Sequence, residues 1–331
     1  MKARFLFRLA AGPRIGFGHL MRCRALARAL AVRPIVSIRG GAAARRQAEA
    51  LGCVVTNGGR RGLGDGDVLI VDDPSPAHAG AWLRRAARAG VPAATIHDLG
   101  IGSRAAAVIV DGSITRTPVG VARALCGPRF SVLDPRVPAA RAARRQRGDG
   151  RLPRRVLIAL GGGSHVLAAA RPLVNEIARR CPNAVIEVVA GLCRNAPRPP
   201  LSAARWIERP DGLSADLAAC DVAVVGGGVI LYEACAIGVP VVALAVVAAQ
   251  RPAVAGFAAR GAAIDAGALM DGPIAIGRAA AGVARLLGDS RARRRRASVA
   301  RTIVDGQGAR RVASRIRALA RNRASRRSPR V

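Results

Sequence analysis

The chain has 331 residues, 51% of them hydrophobic but only 2% aromatic, and a formal net charge of +34 from 54 Lys+Arg against 20 Asp+Glu. That length favours two domains, and the apolar fraction suffices for two cores filled by Ala, Val and Leu. Seven scattered cysteines with no C-x-x-C pair, apart from the four histidines, argue against a zinc site or a disulfide framework and for a reducing compartment.

In chain order, the apolar run Phe5-Leu6-Phe7 reads as a first strand, because Arg8 interrupts it too early for a signal peptide. It is followed by Arg14 to Leu30, RIGFGHLMRCRALARAL, a glycine-rich turn leading into an arginine-rich helix. Short branched runs then recur at Ile35 to Ile38, Cys53 to Val55, Val68 to Val71, Ala93 to Ile96 and Ala107 to Val110. They do not alternate, as expected of strands buried on both faces. Helical segments between them, Ala42 to Leu51 and Ala77 to Ala89, end at Gly52 and Gly90. This is βαβ alternation and predicts a parallel sheet.

The rhythm breaks at residues 137–153, read as a linker in which Ala139 to Arg147 has the composition of a short solvated helix. It restarts with the strand Arg155 to Leu160, the turn Gly161-Gly162-Gly163-Ser164 and a helix to Arg180. The strands Val185 to Ala190 and Asp221 to Val225 follow; the second leads into Gly226-Gly227-Gly228 and a helix to Ile237. Another strand, Val239 to Leu244, precedes Gln250 and a helix starting near Pro252. The run Ala234 to Ala249 contains Gly238 and Pro240 and falls short of the ~18 apolar residues of a spanning helix, so a soluble cytoplasmic protein is expected. From Ile276 the chain is helical and increasingly basic, with an amphipathic stretch at Ala309 to Ala320 and disorder expected from Arg321. The domains are thus read as 1–136, the linker 137–153, a second domain 154–290, and basic helices and tail at 291–331, the last expected to be dispensable for catalysis beyond about Gly288.

Three glycine turns at the carboxyl ends of parallel strands point to a ligand held at helix N-termini, where backbone N–H groups and the helix dipole favour an anion. Neither GxGxxG nor GxxxxGK[ST] is present, which removes a dinucleotide fingerprint and a P-loop. His19, between Gly18 and the arginines Arg22 and Arg24 at the positive end of a helix, is the candidate base; those neighbours favour its neutral form. His97 beside Asp98 and His165 after the Gly161 turn are weaker candidates, and His78 reads as an exposed helix residue. Glu233, seven residues past Gly226, is suited to accept hydrogen bonds from sugar hydroxyls or simply to sit near a helix N-terminus. Asp72 and Asp73, before Pro74, read equally as groups that orient a water or a sugar hydroxyl and as turn caps.

The run Ile15-Gly16-Phe17-Gly18-His19 with Arg22 and Leu26-Ala27 resembles the N-terminal signature of the UDP-sugar hydrolases of pseudaminic acid biosynthesis and the related spore-coat polysaccharide proteins. Further matches follow in order at Val71-Asp72, Ile96 to Asp98, Gly127-Pro128-Arg129, Leu157 to Ser164, Ala223 to Glu233, Gln250 and Arg260-Gly261-Ala262. The glycine turns and Glu233 are shared with a wider set of two-domain glycosyltransferases. The chain departs from the hydrolase pattern at Ala10, Asp73-Pro74, His165, Val229 and Ile230.

The resemblance implies an α/β fold of two Rossmann-like domains, GT-B-like, with a central cleft for a UDP-sugar. It implies that His19 assists a water attacking the anomeric carbon, and Gly16, Gly18, Arg22 and Asp72 are read as substrate-binding residues. The nucleotide is then held by Gly161, Gly162, Gly163, Ser164, Gly226, Gly227 and Gly228, with Glu233 at the ribose and Gln250 near the sugar. Neither cofactor nor metal is expected, because helix ends and arginines can stabilise a diphosphate leaving group. The alternative is a glycosyltransferase passing the sugar to an acceptor. A third reading, from charge alone, is a non-catalytic nucleic-acid or anionic-surface binder. The scarcity of aromatics and the spread of arginines argue against specific nucleic-acid binding, while the arginine-rich C-terminus remains suited to peripheral contact with anionic surfaces.

Overall fold

The computed structural model describes residues 4–56, 63, 67–97, 106–115, 124–146, 154–192 and 197–325. Asp98, Cys193 and the end of the linker stretch lie outside them, and of Ser164 and His165 the backbone alone is described. The chain divides into two compact units: one of Met1–Ile15, His19–Pro135 and Gln307–Val331, the other of Gly16–Gly18 and Arg136–Gly306.

The first unit contains strands β1 (Arg4–Ala10), β2 (Ile35–Arg39), β3 (Val54–Val55), β4 (Asp67–Asp72), β5 (Ala93–His97), β6 (Val108–Asp111) and β7 (Ala124–Cys126), with helices α1 (Gly18–Leu30), α2 (Ala42–Ala50) and α3 (Pro76–Arg88) between them. All pairings are parallel and the strand order is β3-β2-β1-β4-β5-β6-β7. The order reverses direction between β1 and β4, and this is where open α/β sheets bind ligands, beyond the carboxyl ends of the strands. One face of the sheet is covered by α3 through Ala79, Leu83 and Ala86, which pack with Leu69, Val71 and Val91.

The second unit carries α4 (Val137–Gln146), β8 (Arg155–Ala159), α5 (Ala170–Arg180), β9 (Val185–Val189), β10 (Ala204–Ile207), α6 (Ser214–Ala219), β11 (Val222–Gly226), α7 (Val229–Ile237), β12 (Val241–Ala245), α8 (Arg251–Ala259), β13 (Ala263–Ala268), α9 (Pro273–Gly288) and α10 (Ser290–Ile303). Its sheet is also parallel, in the order β10-β9-β8-β11-β12-β13, with its reversal between β8 and β11. Leu173, Val174 and Ile177 of α5 and Ala279, Val283 and Leu286 of α9 cover one face, against Val156, Ile158, Val222, Val224 and Val242.

Two expectations are corrected. Residues 137–146 form a helix that buries Val137 and Ala140, and its contacts are with α6 and α7 of the second unit. The basic tail is also structural. Its last helix, α11 (Gly308–Ser325), runs past Arg321 into the stretch read as disordered and returns to the first unit, where it packs near β4 and β6. Val312, Ala313 and Ile316 of α11 are fully buried, as is Ala300 of α10. Removal beyond Gly288 would therefore uncover core in both units.

Candidate functional site

In the first unit, the site is built at the reversal between β1 and β4. The loop after β1 bends at Gly16, whose φ of +85° suits a residue without a Cβ, and Gly18 starts α1, with His19 its second residue. His19 and Arg22 stand three residues apart on one face of that helix. Asp72 ends β4 in register with Leu9 of β1, so its carboxylate lies under the first turn of α1.

The three side chains meet there. His19 Nδ1 is 2.8 Å from Asp72 Oδ1, Arg22 Nε donates to Asp72 Oδ2 at 2.7 Å, and the terminal nitrogen of Arg22 donates to Asp72 Oδ1. That same arginine nitrogen lies 3.1 Å from His19 Nδ1. Asp72 is 1% exposed and Arg22 5%, while His19 keeps 16%. Burial alone would favour a protonated Asp72, but the charges and hydrogen bonds of Arg22 and His19 outweigh it and hold the carboxyl well below its usual range. An ionised carboxylate can only accept, so His19 donates from Nδ1 and, when neutral, carries its lone pair on Nε2. The arrangement is a base oriented by a buried acid, able to take a proton at Nε2 and stabilise the resulting cation.

Asp73 is separate from this group. It accepts from Arg39 through both oxygens, at 2.9 and 2.6 Å, and from the Ser75 N–H at 2.9 Å, closing the turn into α3. These bonds hold Asp73 below the usual carboxylate range despite its burial. His78 lies exposed in the first turn of α3, with Nδ1 2.8 Å from the Ser75 hydroxyl, and His97 is buried at the end of β5 opposite Asp111.

In the second unit, both glycine turns flank the sheet reversal. After β8, Gly161 adopts φ +143° and Gly163 precedes the 3-10 turn Ser164–Ala169 that runs into α5. Gly191, after β9, lies under this turn: a Cβ on it would come within 3.1 Å of the Gly161 carbonyl and 3.2 Å of Gly162 Cα. After β11, Gly226, Gly227 and Gly228 lead into α7, whose N-terminus has no side-chain cap. A Cβ on Gly226 would lie 2.2 Å from the Leu160 carbonyl oxygen, and one on Gly227 2.8 Å from Val254.

Gln250 locks this second turn. Its Oε1 accepts from the Gly227 N–H at 3.0 Å and from the Val246 N–H at 2.9 Å. Gly227 N–H is shared with the Leu244 carbonyl. Gln250 Nε2 lies 3.4 Å from where a Cβ on Gly228 would begin. Glu233, the fifth residue of α7, is half-buried one turn inside the helix. The sequence-predicted residues therefore gather into two groups, one at each sheet reversal. Sequence reasoning missed the Asp72–His19 pair, the support from Gly191 and the turn-closing role of Gln250. Only the repeated glycines hinted at the last two. Among the described residues no cluster of His, Cys, Asp and Glu is arranged to hold a metal ion.

No protein-family model and no curated protein matches the chain. Solved structures do. MurG of Acinetobacter baumannii matches at 14% identity and a TM-score of 0.61, over 95% of this chain and 99% of its own. The spinosyn rhamnosyltransferase SpnG, complexed with thymidine diphosphate, matches at 19% identity and a TM-score of 0.61, over 96% of this chain and 100% of its own. The UDP-GlcNAc 2-epimerase of Neisseria meningitidis, bound to UDP-GlcNAc, matches at 12% identity and a TM-score of 0.59, over 95% and 100%. At these identities the likeness is one of fold, and it extends over both parallel sheets: this is an α/β chain of two Rossmann-like domains with a GT-B-like fold.

Proposed function

We propose that this protein is a glycosyltransferase that takes a sugar from a nucleoside diphosphate donor, a UDP-sugar in the first instance, and passes it to a hydroxyl acceptor. The observation that carries this reading is the His19–Asp72–Arg22 group at one sheet reversal, in a chain whose other sheet reversal carries two glycine turns free of side chains. The nucleotides named for SpnG and the Neisseria epimerase support a nucleoside diphosphate as the donor's leaving group.

In this scheme His19 Nε2 removes the acceptor hydroxyl proton while the oxygen attacks the anomeric carbon. The bond from that carbon to the diphosphate oxygen breaks, and the nucleoside diphosphate departs with both bonding electrons. Asp72 stabilises the imidazolium that results, and Arg22 holds Asp72 ionised and in place. The uncapped start of α7 and the Gly161 turn receive the leaving diphosphate, whose charge their N–H groups stabilise. Glu233 accepts from the ribose hydroxyls, as acids do in related nucleotide sites.

A second reading is favoured by the Ile15 to His19 loop, which resembles that of UDP-sugar hydrolases: the same geometry activates water instead of an acceptor. Incubation with UDP- and TDP-sugars separates the two. Nucleotide release that requires an acceptor identifies transfer, and release in buffer alone identifies hydrolysis. No release from any donor, under either condition, sinks both.

A further inference from the structure

Away from the His19 group, the first unit holds a pocket of about 420 Å³ lined by Arg8 of β1, Ser37 of β2, Arg45 of α2, and Trp82 and Arg85 of α3. Three guanidinium groups share it, and among the described residues no carboxylate lines it. The nearest acid, Asp73, is already engaged through both oxygens by Arg39.

Two of the cations are held by packing. The guanidinium carbons of Arg8 and Arg85 sit 5.3 and 5.1 Å from the Trp82 ring centroid, so one indole holds two like charges in place. Arg8 donates from one terminal nitrogen to the Ser37 hydroxyl at 3.3 Å, but its Nε is buried without a hydrogen-bond partner. A buried, fixed donor left unpaired costs free energy unless something accepts from it. Arg85 is half-buried and Arg45 exposed at the rim.

We propose that this pocket binds a phosphate group. Two guanidiniums held against Trp82, a third at the rim and an unpaired donor on Arg8 match a multiply charged oxyanion, which offers several acceptor atoms. The volume exceeds what a lone ion fills and suits a phosphorylated small molecule. This assignment is independent of the reaction proposed above, because it uses none of the same residues.

Trp82 supplies its own reporter. The chain has two tryptophans, and the other, Trp206, lies on β10 of the second unit. In a full-length Trp206→Phe variant, inorganic phosphate and glucose 1-phosphate are titrated separately at constant ionic strength while Trp82 emission is followed. A saturable change is expected for at least one of them, weakened about tenfold or more by Arg85→Gln and by Arg45→Gln. Arg295→Gln, at an exposed position of α10, leaves it unchanged. Tighter binding of the ester identifies a phosphorylated metabolite as the ligand, and equal affinity identifies the free ion. Isothermal titration of the unaltered chain and of Arg85→Gln reads the same loss without touching Trp206. No saturation by either probe, or saturation indifferent to both pocket variants, overturns the proposal.

Discussion

Asp72 is ionised against its surroundings. Burial raises the cost of its charge, and Arg22 and His19 offset that cost. The sign of the resulting pH dependence follows. A carboxyl held below its unfolded value of about 3.9 contributes stability that is present above that pH and lost as the pH falls through the folded value. Acidification below about pH 4 should therefore cost the native chain more stability than it costs Asp72→Asn, measured by denaturant titration at each pH. At pH 7 the same substitution leaves Arg22 buried without its counter-charge and should destabilise by about 3–5 kcal/mol. His19→Ala, by contrast, removes a partly exposed side chain and leaves the Arg22–Asp72 pair intact. It should lower turnover by about a hundredfold or more while nucleotide affinity stays nearly unchanged. Turnover surviving within a few-fold would show that His19 is not the base. The sequence marks His19 through its glycine neighbours, but not its partner. Asp72 lies 53 residues away and reads equally well as a turn cap until β4 is laid beside β1.

The glycine turns divide into positions where space forbids a side chain and positions where it does not. Gly226 faces the Leu160 carbonyl at a distance no Cβ tolerates, whereas Gly228 has only the Gln250 amide at van der Waals range. Gly226→Ala is expected to cost several times the stability lost by Gly228→Ala, which thermal unfolding would compare directly. Gln250→Ala leaves the Val246 N–H without its acceptor and should cost about 1–3 kcal/mol. Most strands were legible because both faces are buried and the sequence is then a continuous branched run, as in Val68 to Val71. Those that were not lack this signature. β13 contains Asp265 and Gly267, β10 alternates around Arg205, and β7 has three half-buried residues. The helix of α4 was legible at Ala139 to Arg147, but its arginines suggest a solvated linker until their partners are known.

Those partners account for several of the arginines. Arg144 reaches four carbonyls, of Leu217, Ala218 and Cys220 at the end of α6 and of Gly238 after α7. Arg141 binds the Ala236, Arg301 and Val304 carbonyls, Arg293 those of Leu286 and Leu287 at the end of α9, and Arg317 that of Ala29 in α1. Helix C-termini present unpaired carbonyls and a negative dipole end, and guanidinium groups satisfy both. Part of the net charge thus holds helix ends in place. Arg144→Leu should destabilise by about 1.5–3 kcal/mol, while Arg295→Gln, exposed on α10, stays within about 0.5 kcal/mol, both read from chemical denaturation.

The return of α11 to the first unit also sets an order of assembly. As the chain leaves the ribosome, every residue of the second unit has been made once Gly306 emerges, yet the first unit still lacks a helix whose Val312, Ala313 and Ile316 belong to its core. The half synthesised first is finished last. A chain stopped at Gly306 should therefore retain the calorimetric transition of the second unit and lose that of the first. A nonsense mutation just past Gly306 would then act at His19, far upstream in the sequence.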